Sequence, residues 1–361
     1  MAKQLRIILQ KRDCARILRV SLLVLLAVPI SLYSQQEKKP VPRPKTRAEF
    51  EAYTQLYNEK DMRNKALLAQ KFIEDFPNSD FRLAGYQLEI QANVALGNHA
   101  KVVLAGENAL REFPEVKKSS KIYILQRMIR GYQQLNDSLK TIEAGEKLLS
   151  VDPNHLPTLL TLSIVLPSFL PEDETDRSRQ LDNALEIANR AQVRVEAILN
   201  GPKPSGITAD QWVQQKVDLP ARVSGAMGLI YFNRKDYSNS IEEYEKATSM
   251  VRGESIDFYR MGIAYYYQAL AVSQELAEWD EKEKPNTGVK ERKEAQFNSW
   301  RDKAITALAK VIVLKENAPA QVVQSARDEL ERLYKTKNND SLEGLDEVIG
   351  EAAKELENDL P

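Results

Sequence analysis

Two histidines, His99 and His155, and one cysteine, Cys14, are all the sequence offers for nucleophilic or soft-metal chemistry. A serine–histidine–carboxylate relay needs a histidine beside an activated hydroxyl, and a structural zinc site needs four nitrogen or sulfur ligands. His99 falls in a turn and His155 just past Pro153, so both read as structural residues. Cys14 lies in a leader segment, which leaves the rest of the chain without a thiolate or a disulfide. The acidic run Glu172-Asp173-Glu174-x-Asp176 could attract a hard cation, but it lacks the turn glycine and the ligand spacing of a calcium loop. It reads as a solvated loop. Phosphate-binding glycine loops, HExxH and CxxC motifs do not occur. The expectation is therefore no catalytic residue, no metal site, no cofactor and no enzyme.

The elements that must position any functional side chain are marked by recurrent turns. Asp61, Asn98, Asp137 and Asp236 each sit at the centre of a short polar turn. A proline follows the first three by 16 residues, at Pro77, Pro114 and Pro153, and Arg252 stands where the fourth would fall. Flanking positions repeat their chemistry as well. Tyr53, Ile90, Ile129 and Gly228 stand eight places before the centres; Leu56, Asn93, Tyr132 and Tyr231 stand five before. Ala69, Gly106, Gly145 and Tyr244 stand eight places after, and Phe72, Ala109, Leu148 and Ala247 eleven after. Such spacings make one apolar stripe on each of two antiparallel helices, with a small residue opposite a large one wherever the backbones approach. Only Asn93 fits the stripe poorly.

This pattern resembles the tetratricopeptide repeat family, in its exported bacterial form. The clearest segment is Met227-Gly228-x2-Tyr231…Asp236-Tyr237…Tyr244-x2-Ala247, followed by Met261-Gly262-x2-Tyr265 with its late second helix Ala304-x3-Leu308-x2-Val311. A further pair joins residues 154–166 to Ala184-x3-Ala188-x2-Ala191. The resemblance implies an all-α fold, a right-handed α-α superhelix of about six helical hairpins plus C-terminal capping helices. It also implies a scaffold that binds a protein or peptide in the concave groove lined by the first helix of each hairpin. Counting away from the packing stripe, the groove residues are Tyr123, Gln126, Arg130, Gln133 and Gln134 in the third hairpin. Arg222, Leu229, Phe232 and Asn233 follow in the fifth, and Ile256, Tyr259, Ile263, Tyr266 and Tyr267 in the sixth.

The remaining segments complete the organisation. Residues 1–34 combine six basic residues against one acid with an apolar run of about 13 residues, too short to span a bilayer. They read as a signal peptide or as a retained membrane anchor, and residues 35–45 as a proline-rich linker. Hairpins one to four occupy 46–199, a Gly/Pro-rich linker 200–216, and hairpins five and six 217–318; capping helices fill 319–361. An insertion at 270–298 is rich in helix formers, which extends the sixth hairpin to a first helix of about 28 residues (256–283) with a turn near Pro285. Without the leader the chain carries a net charge near −6, so it has no global reason to seek nucleic acid. Membrane contact is expected through an uncleaved leader alone. The expected location is the periplasm or cell envelope, either free or anchored to the inner membrane. Two functional readings stay open: an exported scaffold holding a protein or peptide, and a membrane-anchored structural component of an envelope assembly.

Overall fold

The computed structural model describes residues 43–251, 254–279 and 288–358; the leader, most of the proline-rich linker and the turn near Pro285 lie outside them. Regular structure among the described residues is helical throughout. The helices are α1 (Arg47–Asn58), α2 (Met62–Asp75), α3 (Arg82–Ala95), α4 (His99–Glu112), α5 (Lys118–Gln134), α6 (Ser138–Val151) and α7 (Leu156–Ser168). They continue with α8 (Glu174–Leu199), α9 (Ala209–Asn233), α10 (Tyr237–Met250), α11 (Ser255–Ala277), α12 (Val289–Val313), α13 (Ala320–Lys337) and α14 (Leu345–Asn358).

The turn centres are helix caps. Asp61, Asp137 and Asp236 accept the backbone N–H of Asn64, Lys140 and Asn239 at 2.8, 3.0 and 3.2 Å, which satisfies an orphan donor at the start of α2, α6 and α10. Asn98 holds the same place before α4 without a side-chain cap bond. In the last three turns the preceding residue, Gly97, Asn136 or Lys235, is left-handed. That geometry lets the N–H of Asn98, Asp137 and Asp236 reach back to the carbonyls of Asn93, Tyr132 and Tyr231 at 2.9, 2.9 and 3.0 Å. The misfit Asn93 is thereby explained: it is fully buried, donates to the Glu89 carbonyl at 3.0 Å, and accepts from the Asn98 side chain at 3.3 Å. Pro77, Pro114 and Pro153 follow directly after the closing residues Phe76, Phe113 and Asp152, where a residue lacking N–H stops the helix.

The repeated stripe is the core. Leu56, Ile90, Ala69, Phe72, Ala109, Leu148, Tyr244 and Ala247 are almost fully buried. Small and large residues interlock as the spacing requires. A Cβ on Gly228 of α9 would stand 2.8 Å from the Tyr244 ring of α10, and one on Gly145 of α6 would stand 2.8 Å from Leu162 of α7. In the fifth hairpin the small residue has moved to the first helix and the large one to the second. The chain divides into two compact units, one ending at Val165 and one running from Leu166. In the first, hairpins α1/α2, α3/α4 and α5/α6 stack through α2 on α3 and α4 on α5. In the second, α8 packs on α9, α10 on α11, and α12 on both α13 and α14.

Three expectations are corrected. The segment 200–216 is not a linker throughout: Thr208 and Gln211 form a reciprocal capping box, and residues 209–216 are the opening turns of α9. Ile207 and Trp212 are buried and α8 packs on α9, so this segment joins its neighbours rather than separating two halves; the division falls inside α7 instead. The long helix α11 ends at Ala277, short of 283. Glu275, Glu278, Asp280, Glu281 and Glu283 crowd what would be its negative end, which the helix dipole disfavours. The acidic run is exposed as expected, but only Glu172 and Asp173 are loop. Asp173 caps α8 through the Asp176 N–H at 2.9 Å, and Glu174 and Asp176 lie in its first turn, where carboxylates are favoured.

Candidate partner-binding surface

The second unit carries a continuous aromatic strip. Phe232 closes α9, Tyr237 opens α10 directly after the cap Asp236, and Tyr266 with Tyr267 lie on α11. The Phe232 ring centroid is 5.7 Å from Tyr237 and 6.1 Å from Tyr267. Tyr237 and Tyr267 stack at 4.7 Å, nearly parallel, and Tyr266 lies 5.5 Å from Tyr267. At the far end the Arg332 guanidinium of α13 sits 4.5 Å over the Tyr266 ring and is fixed by two bonds to Glu329, at 2.9 and 2.5 Å. At the near end Asn233 donates to the Pro167 carbonyl at 3.2 Å. All four rings are half-buried: they pack against the core and still present ring surface to solvent. Rigid rings with one wet face, backed by a positioned guanidinium, are the side chains in which binding energy concentrates.

The other expected groove residues scatter. Tyr259 is 4% exposed and belongs to the core of the sixth hairpin, as does Ile263 at 1%; Leu229 on α9 is buried as well, at 7%. The reason is crowding: α11 is packed by α9, α10, α12 and α13, so most of its circumference is interior, and of its expected groove residues Ile256, Tyr266 and Tyr267 stay half-buried. Arg222 stays away from the strip. Burial lowers its pKa, and its charged neighbours are Glu254 and Asp218. In the first unit, Gln133 is buried, Tyr123 and Gln126 are half-buried, and Arg130 is exposed. Arg127 rather than Arg130 covers the Tyr123 ring, at 5.2 Å. The rings of the first unit gather instead at its beginning, where Tyr53 lies 4.4 Å from Phe81, 5.6 Å from Phe72 and 6.2 Å from Tyr57, away from the expected groove residues of α5.

Sequence reasoning missed Tyr237, Arg332 and Glu329. Tyr237 was visible in the Asp-Tyr turn phrase, but it begins a second helix and was counted with the turn. Arg332 lies on a helix read purely as a cap. The Nδ1 of His155 meets the Thr158 hydroxyl at 2.8 Å at the start of α7. Among the described residues no group of three or more His, Cys, Asp or Glu is placed to hold a metal ion, and no helix is long and apolar enough to cross a membrane.

The paired helices, their cap-and-proline punctuation and the small-to-large interlock define, among the described residues, an all-α array of helical hairpins. No protein-family model matches the sequence, and no curated protein aligns with it significantly. Among solved structures the chain is similar to a tetratricopeptide repeat protein from Parabacteroides merdae, at 15% identity and a TM-score of 0.41, over 87% of this chain and 100% of that one.

Proposed function

We propose that the chain is an exported interaction scaffold that holds a protein or peptide partner on the aromatic strip of its fifth and sixth hairpins. The observation that carries this reading is the contiguous run Phe232–Tyr237–Tyr267–Tyr266–Arg332, five side chains from four helices brought to one half-exposed face. Helices already packed on one another present that face pre-formed, so a partner meets no cost of ordering the scaffold. Export is supported by the basic leader and its short apolar run, with placement in the periplasm or envelope.

The test starts by crosslinking and affinity capture from cells, then titrates the purified partner. Tyr266→Ala with Tyr267→Ala should weaken binding by about 2 kcal/mol or more in total while helicity is retained. Unchanged affinity in the folded double variant would place the partner elsewhere. N-terminal sequencing of the mature protein tests export: a start at Gln35 supports a free protein, and an intact leader supports an anchored one.

A further inference from the structure

A second surface of the same unit has the makings of a site on different helices. Between α10 and α12, over α11, lies a cleft of about 670 Å³, floored by Phe258, Met261 and Ala307 and walled at one end by Leu356 of α14. That volume is within the range of sites that hold ligands. Two lysines of α12 border it, Lys303 and Lys310, seven residues or two helical turns apart and therefore on one face. Each covers an aromatic ring of α11, and those rings are also seven residues apart. Lys310 Nζ lies 5.6 Å from the centre of Phe258, and Lys303 Nζ lies 5.4 Å from Tyr265 and 5.1 Å from Trp300. The cleft thus holds the same lysine-on-ring unit twice.

The two copies differ in what meets the ammonium. Lys310 is paired at 2.9 Å with Glu355 of α14, and the next residue, Leu356, turns into the cleft wall. The Lys310 side chain is only 18% exposed as a result. Lys303 is 50% exposed, and its nearest carboxylate, Glu245, stands 4.0 Å away while accepting the Tyr265 hydroxyl. Asp302 beside it is engaged by Lys337 at 3.1 Å. One unit is filled by a Glu-Leu step of this chain's own last helix; in its duplicate Lys303 has only the longer contact to Glu245 and stays half exposed.

We propose that the Lys303 half of this cleft binds an acidic–apolar step, Glu or Asp followed by Leu or a similar residue, in a segment of a partner protein. The carboxylate would meet Lys303 over the Tyr265–Trp300 pair, and the apolar side chain would cover Met261. The site is separate from the aromatic strip and does not depend on its role.

The probe is a fluorescently labelled synthetic peptide of residues 345–358, which contains the Glu-Leu step, titrated onto the full chain. Saturable binding is expected, weakened at least roughly tenfold by Lys303→Met and further by Lys303→Glu, with helicity unchanged because Lys303 is half exposed. Lys310→Met and the Tyr266/Tyr267 double variant should leave it in place, which separates this site from displacement of α14 and from the strip. Absence of saturable binding overturns the proposal, as does equal binding by the Lys303 variants or a loss seen with Lys310→Met alone. Competition by free glutarate as effective as by peptide would assign the cleft to small carboxylates instead. A concentration-dependent dimer abolished by Lys303→Glu would assign it to α14 of a second copy; either result overturns the partner assignment.

Discussion

Asp257 offers a stability test whose sign follows from its surroundings. It lies in the first turn of α11 with its side chain 15% exposed, and its Oδ2 would stand only 2.8 Å from a Cβ on Gly225 of α9. Burial, aided by Glu254 and opposed by the Arg260 guanidinium at 3.9 Å, raises its pKa from 3.8 to about 6. Between those values the folded chain binds a proton that the unfolded chain does not. This group's contribution is therefore most favourable below its unfolded pKa and is lost as pH rises through about 6. A shift of about two units corresponds to about 3 kcal/mol between the extremes, as an upper figure. Asp257→Asn removes the buried charge; the raised pKa already includes the attraction of Arg260, so about 3 kcal/mol is the ceiling of the gain. The expected net gain at pH 7 is about 1–2 kcal/mol, shrinking to nothing or a slight loss near pH 4. Urea titrations of both proteins from pH 4 to 7.5 isolate the effect as the difference between them, which cancels other carboxylates such as Glu89 and Glu254. A variant less stable than the parent at pH 7, or a difference that does not vary with pH, would refute the desolvation argument.

Two further substitutions probe packing. Gly228→Ala pushes a methyl group into the Tyr244 ring, which is wholly buried and cannot swing away, and should cost about 1–3 kcal/mol in chemical denaturation. A neutral result would mean that α9 and α10 can separate without loss. Tyr259→Ala should act as a core truncation, costing about 3 kcal/mol or more, and should leave the affinity for a captured partner unchanged under conditions where the variant is folded. Weakened binding by a stably folded Tyr259 variant would return that residue to the surface.

The sequence by itself determined the helices and their pairing. Caps and prolines act within a few residues of themselves, so Asp61, Asp137 and Asp236 could be read as helix starts and Pro77, Pro114 and Pro153 as stops. The stripe positions were legible because 3.6-residue periodicity needs no knowledge of the partner helix. Gly228 opposite Tyr244 even told which helix of the fifth hairpin would carry the small residue. The acidic run and the opening of α9 were misread because a capping side chain and a solvated loop use the same residue types.

Which residues face outward was a different matter, and the tertiary structure decided it. Periodicity divides a helix into two faces, but α11 has neighbours on four sides, so Tyr259 and Ile263 were covered while Tyr266 and Tyr267 stayed half open. Tyr237 and Arg332 join those rings from helices before and after α11, and no spacing along one helix can show a contact made between three. The duplicated lysine-on-ring unit is of the same kind. Lys303 and Lys310 share a face of α12 by sequence, yet only the docking of α14 makes one of them paired and leaves the other half exposed. Local rules fix what each helix is; how many neighbours surround it fixes which of its side chains remain to meet a partner.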